Sequence, residues 1–399
     1  MRQPLIDLIY IDSGGGHRAA AQAIQSVVDE QQRPWRLCLQ SAQQLLDSID
    51  FIRQFTGIPF EEIYNILLRR GWTRGSRQLL WLSHLLIRLS HRRQVRVLEQ
   101  HWKEHPADMV ASLIPHYNRA LREAFARACP GRPFVTIMTD IADYPPHFWI
   151  ESQDQYLICG SERAREQAEA LGMPRERILP VSGMILHPGF HRAAGPENAA
   201  YRSQNRIRIG LQPDLPTGLV LFGGIGSNDA VRVARALNRP GTGIQLIVLC
   251  GRHEQSLAAL RAMEAHIPIH IEGFTREVPY FMGLADFFIG KAGPGSISEA
   301  LAMHLPVIVE CNGRTMVHER YNAQWVREQE IGLVVSTFDR VGAAVATMLE
   351  PDRYRQLTTN AARMRNKGVY DAVERLDYIL RRHPVPGAEA GLTPVALAG

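Results

Sequence analysis

Leu5-Ile6-Asp7-Leu8-Ile9-Tyr10-Ile11 runs directly into Asp12-Ser13-Gly14-Gly15-Gly16-His17, and Phe287-Phe288-Ile289 runs directly into Gly290-Lys291-Ala292-Gly293-Pro294-Gly295-Ser296. A helix-like stretch follows each turn, Ala19 to Ile24 in the first and Ile297 to Leu301 in the second. Strand, glycine turn and helix in that order let an open parallel sheet offer bare backbone N–H groups and a helix N-terminus to an anion. One such unit in each half of the chain predicts an α/β protein with two Rossmann-like domains whose parallel sheets face an interdomain cleft.

The 399 residues suffice for two well-buried cores. With 45% hydrophobic and 21% charged residues the chain reads as globular, not disordered. The net charge of +5 comes almost wholly from Arg, since Lys stands only at 103, 291 and 367. The five cysteines lie far apart without metal-ligand spacing, so free thiols in a reducing cytosol are expected. The N-terminus lacks a signal-peptide layout, and no apolar run is long enough to span a bilayer. These features predict a cytoplasmic protein that meets the inner face of the cell membrane only peripherally.

Residues 1–190 alternate between strand-like runs (Leu5–Ile11, Arg36–Leu39, Asp108–Ser112, Phe134–Met138, Gln155–Cys159) and helical segments. Residues 191–206 mix turn formers with charge and read as a linker. A second alternating set fills 207–382, and the Pro- and Gly-rich stretch 383–399 reads as a disordered tail. The segment 51–103 departs from the pattern. It holds Phe55, Phe60, Tyr64, Trp72, Trp81 and Trp102, with ten basic residues against three acids. Trp81 with Arg88, Arg92 and Arg93 suits the headgroup layer of an anionic membrane; the alternative is a buried helix with a solvated Arg face.

In the second half, Gly293, Gly295 and Ser296 can bring N–H groups against a diphosphate, and Glu299 one turn later can accept from ribose hydroxyls. Gly223, Gly224, Gly226 and Ser227 form a similar loop after that half's first strand. Nicotinamide dinucleotides are disfavoured, because no acid follows the second strand suitably, and a Gly-Lys-Ser/Thr phosphate loop is absent. Nucleic acid is disfavoured too, as the basic residues accompany apolar helices without a recognition motif.

The stretches Asp12 to Ile24 and Lys291 to Leu301 resemble the N-terminal and donor-binding signatures of the monogalactosyldiacylglycerol synthases. Met138-Thr139-Asp140 with Trp149 downstream, Glu272-Gly273-Phe274, and His318-Glu319-Arg320-Tyr321-Asn322-Ala323 extend the resemblance in the expected order from about residue 5 to about 350. The resemblance implies a GT-B glycosyltransferase that moves a hexose, galactose foremost, from a UDP-sugar to diacylglycerol with inversion and without metal or other cofactor. Another lipid acceptor, or a UDP-sugar epimerase of the same fold, are the alternatives.

His17 is then the candidate general base, or else a local cap or a diphosphate contact. Asp140 orients it, acts as the base, or merely caps the next segment. Gly16, His116 and Trp149 are expected at the acceptor, His116 having a purely structural alternative. Arg252, Gly273 and Phe274 are expected at the UDP, the phenyl ring against uracil or simply in the core. Glu319, Arg320 and Asn322 are expected at the sugar. Many members carry Gln where this chain has His318, which leaves the hexose open, because a few hydrogen bonds in that loop read C4.

Overall fold

The computed structural model describes residues 2–12, 15–47, 76–145, 147–192 and 199–384, and side chains for all of these except 76–86 and 192. Two six-stranded parallel sheets form the framework. The first contains β1 (Leu5–Tyr10), β2 (Arg36–Ser41), β3 (Met109–Ser112), β4 (Phe134–Ile137), β5 (Tyr156–Cys159) and β6 (Ile178–Pro180), in the order β2-β1-β3-β4-β5-β6. The second contains β7 (Thr217–Leu221), β8 (Gln245–Leu249), β9 (Ile269–Glu272), β10 (Phe287–Lys291), β11 (Val307–Glu310) and β12 (Gly332–Val335), in the order β12-β11-β10-β7-β8-β9. Most strands are short apolar runs buried on both faces, as helix-covered parallel sheets require.

Side-chain alternation divides each sheet between two cores. Ile6, Leu8, Met109 and Ala111 face one side of the first sheet, and Ile9 and Val110 face the other. Strand order reverses direction at β1/β3 and at β7/β10, so the loops leaving those strands open crevices at the carboxyl ends. Both glycine turns leave these strands.

Alternation also places the Asp7 carboxyl on an inward face. There it accepts a 2.9 Å hydrogen bond from Trp102 Nε1, which ties β1 to helix Ser76–Glu104, and burial pushes its pKa up to about 6.

The structure corrects the sequence reading in three places. Helix Gly368–Arg382, expected within the second domain, returns to the first: Val369, Val373, Leu376 and Ile379 pack with Ile6 and Leu8, and Trp35 Nε1 donates to Asp377. Apolar periodicity identifies such a helix but not the sheet that it covers. The second half of the expected linker, 199–206, belongs to helix Ala199–Arg208, docked by Arg202 and Arg206 on Asp286. The three-residue β6 was too short to register as a periodic strand. The tail from residue 385, the stretch 51–75 and the side chain of Trp81 lie outside the described residues. Among the described residues no helix is long and apolar enough to cross a membrane.

Candidate active site: the cleft between the sheets

Gly15, at φ +84°, opens helix Gly16–Glu30; this left-handed conformation favours glycine and turns the chain sharply out of β1. The turn leaves His17 partly buried, with Nδ1 3.0 Å from Thr139 Oγ1 on the loop after β4. Burial holds the imidazole pKa below its usual 6.5. The Asp140 carboxylate and a hydrogen bond to the Leu113 backbone pull it partly back, and His318 across the cleft lowers it again. A neutral imidazole is therefore the resting form at neutral pH.

Asp140 does not orient His17; Thr139 does. The Asp140 carboxylate is buried and accepts a 2.8 Å bond from Trp149 Nε1, and it acts on His17 through its charge. Trp149 is fully buried, so it is not a wall of the acceptor site. It fixes Asp140 and lies 5.8 Å from the His17 ring. The His116 ring stands edge-on to Phe148 at 4.0 Å, and its backbone N–H donates to the Phe148 carbonyl. Gly16 lies exposed beside His17.

Opposite stands the second glycine turn. Gly293 begins helix Pro294–Ala302 without a side-chain cap, so the N–H groups of its first turn have no capping side chain. Gly295 and Ser296 belong to that turn. Asn322, fully buried, donates 2.8 Å to the Ala292 carbonyl and braces the loop, so its amide supports the site and is not turned to a sugar. Lys291, at the end of β10, donates 2.7 Å to Glu319, whose residue is 7% exposed. Glu319 above all, and also Asp140, raises the Lys291 pKa. Burial works against ionised Glu319, yet Lys291 and His318 hold its carboxyl below 4.5. The pair is thus ionised throughout the neutral range. Arg320 points away, exposed and bonded to the carbonyls of Thr315 and Gly313, and is not part of the cleft surface.

The companion loop follows β7. A Cβ on Gly226, at φ +79°, would lie 2.0 Å from the Cys250 carbonyl, so only glycine allows this loop to pack on the β8 terminus. Gly223 and Gly224 complete the turn, and the Gly224 carbonyl accepts from Arg252 N–H. Ser227 is engaged with Asp229. Arg252 lies over the Phe274 ring at 4.2 Å, and Phe274 is 47% exposed, which rules out the core alternative. The Gly273 N–H donates to Glu272. Burial alone pushes the Glu299 carboxyl up to about pKa 7, and no partner is recorded for it among the described residues.

Lys291, Thr139 and His318 carry roles that the sequence reading did not assign. Lys291 had a signal, being one of three lysines in an arginine-rich chain. Thr139 stands in the Met138-Thr139-Asp140 match, but its role was not legible there, since a loop hydroxyl gives no sign of the imidazole until the fold brings the two together.

The first domain thus carries a neutral imidazole, and the second a cation, an uncapped helix terminus and an exposed aromatic at the ends of its strands. Residues 219–376 match the glycosyltransferase family 28 C-terminal domain. Together with the paired sheets this makes the chain a glycosyltransferase of the GT-B fold. Along 94% of its length it is a relative, at 26% identity, of the chloroplastic monogalactosyldiacylglycerol synthase of Spinacia oleracea, covering 72% of that protein. Its backbone is similar to CalG4, the calicheamicin glycosyltransferase (TM-score 0.61, 16% identity, 96% of this chain and 99% of that one). It is also similar to MurG of Acinetobacter baumannii (TM-score 0.57, 12% identity, 94% and 100%).

Proposed function

We propose that the protein transfers a hexose, galactose foremost, from its UDP donor to the free hydroxyl of diacylglycerol at a membrane surface. The observation that carries this reading is His17, held neutral by burial and reached across the cleft by the charge of His318, while Asp140 beside it acts in turn on Lys291, the partner of Glu319. The lipid oxygen forms a bond to the anomeric carbon as the bond from that carbon to the UDP oxygen breaks, inverting the centre. The hydroxyl proton passes to His17, and charge gathering on the departing diphosphate meets Lys291 and the helix-terminal N–H groups. In this reading Phe274, backed by Arg252, offers an aromatic face to uracil, Glu299 accepts from the ribose, and no cofactor takes part.

Incubation with UDP-galactose or UDP-glucose and a panel of lipids, followed by mass spectrometry, tests the reading. Galactosyldiacylglycerol is the expected product. A product on another lipid transfers the proposal to that acceptor, and conversion of the donor alone to its epimer would replace it.

Glu299 supplies a pH prediction. Ribose hydroxyls donate to its ionised form, so donor binding favours loss of a proton from a group titrating near pH 7. Affinity for UDP-galactose, whose diphosphate loses no proton in this range, therefore rises from pH 6 to pH 8. Calorimetry on Glu299→Gln is expected to give a flat profile, and an unchanged slope would detach Glu299 from the ribose.

The membrane-facing surface in this reading lies on helix Ser76–Glu104, where Leu89 is 74% exposed beside exposed Arg88, Arg92 and Arg93. The face opposite Leu89 and Arg93 is buried through Val95, Leu98 and Trp102. A basic residue at an anionic surface contributes about 1 kcal/mol. Replacing Arg88, Arg92 and Arg93 by Glu is expected to weaken sedimentation with phosphatidylglycerol vesicles by about 10²-fold or more, with little change on phosphatidylcholine. Equal binding by the triple variant would remove this face from the membrane.

A further inference from the structure

Two aromatic contacts cross the cleft between the same pair of elements. Phe148, on the loop after β4, stacks on His318 with centroids 5.9 Å apart and planes 12° apart. Tyr144, on that same loop, meets Tyr321 at 5.4 Å. His318 and Tyr321 are three residues apart and so share one face of helix Val317–Glu328. Each acceptor-side ring is itself held. His116 stands edge-on against Phe148, while the Arg163 guanidinium lies over Tyr144 and donates 2.8 Å to its hydroxyl.

The adjoining face of that helix reaches the donor loop. Glu319 bonds Lys291, and Asn322 bonds the carbonyl of Ala292. The loop after β4 in turn carries Thr139, which contacts His17, and Asp140, which is fixed by Trp149. A continuous chain of contacts thus runs from the imidazole through the paired rings to the backbone that begins helix Pro294–Ala302. His318 Nδ1 is buried with no hydrogen-bond partner among the described residues, and the ring lies flat against Phe148.

We propose that this double aromatic seam is a positioning device: His318 and Tyr321, clamped by Phe148 and Tyr144, hold the donor loop in register with the general base, so that the lipid hydroxyl rather than water attacks the sugar. The proposal rests on reading the cleft as the place of hexose transfer. With the seam intact, the domains stay together over the donor and bulk water is kept from the anomeric carbon. With the seam broken, a water oxygen forms the bond to that carbon, the bond to UDP breaks, and the water's proton leaves through His17 or solvent, giving free hexose and UDP.

The experiment compares Phe148→Leu, Tyr321→Leu and Tyr321→Phe, the last keeping a flat ring against Tyr144. Free hexose and glycolipid are measured from the same incubation, UDP affinity by calorimetry, and backbone hydrogen exchange along helices Val317–Glu328 and Pro294–Ala302. Phe148→Leu and Tyr321→Leu are expected to raise the ratio of hydrolysis to transfer by about tenfold, the scale of a modest repositioning of reacting groups. Exchange is expected to quicken in both helices, with UDP affinity within about threefold. Tyr321→Phe is expected to keep the parental ratio within about twofold.

An unchanged ratio in both leucine variants overturns the proposal, as does faster exchange confined to the mutated helix. A Tyr321→Phe variant that behaves like Tyr321→Leu overturns it too, and makes the phenol hydroxyl the operative feature. Phe148 is buried, so half-buried Tyr321 provides the comparison if the Phe148 variant unfolds. If no UDP-hexose yields a glycolipid, the transfer reading falls while hydrogen exchange still judges the seam.

Discussion

His17→Ala is expected to lower turnover by about 10² to 10⁴, the usual range for loss of a general base, while UDP affinity stays within about twofold. The imidazole lies in the first domain, bonded to Thr139, apart from the glycine loops of the second domain that the proposal assigns to the nucleotide. Removing it therefore leaves the diphosphate contacts intact but takes away the proton acceptor. Burial sets the sign of the pH dependence. The imidazole pKa is below 6.5, so the acid limb of kcat at saturating donor, where Glu299 is already ionised against the ribose, falls below that pH and the neutral base predominates at pH 7. Asp140 raises that pKa, and Asp140→Asn is expected to move the limb to still lower pH as well as to slow transfer. Steady-state kinetics over pH 5 to 9 with parallel UDP calorimetry decide the matter. Loss of UDP affinity in step with the rate would reassign His17 to diphosphate binding.

Lys291→Met is expected to reduce turnover by about 10² to 10³, comparable to loss of an electrostatic donor at a developing negative charge, and to weaken UDP binding as well. Two effects act in one direction. The cation that meets the leaving diphosphate is gone, and the Glu319 carboxylate, 7% exposed, loses its 2.7 Å partner beside an anionic ligand. Glu319→Gln is the milder change, since the cation remains. The double variant Lys291→Met/Glu319→Gln is expected to regain thermal stability over Lys291→Met alone, because no uncompensated charge remains, but not turnover. Glu319 is held below 4.5 and Lys291 above 10.5, so the pair's contribution is lost only as pH falls through the former or rises through the latter. Changes of rate near neutrality then belong to His17 and Glu299. Near-parental turnover in Lys291→Met would remove Lys291 from the leaving-group role.

Local sequence was enough to find both glycine turns, eleven of the twelve strands among the described residues and the histidine that follows the first turn, because these depend on short-range physics. Apolar runs of four to seven residues must pair in a parallel sheet that is covered on both faces, and glycine must stand where the backbone reverses, as at Gly15 and Gly226. The same turns carried the two-domain reading, since each opens a helix directly after a strand.

Long-range placement was a different matter. The pattern of helix Gly368–Arg382 says that one face is apolar, but any sheet with a free apolar face satisfies it, and only the fold assigns it to the first domain. Trp149 and Asn322, read as ligand contacts, are buried supports whose hydrogen bonds end on Asp140 and Ala292. Arg320 turns to its own preceding loop. Lys291 joins Glu319 across 28 residues, Thr139 joins His17 across 122, and Phe148 meets His318 across 170. Sequence spacing carries no record of such meetings, because hydrogen-bond geometry and desolvation act through distances in space, which are settled only when two sheets and their crossing helices pack.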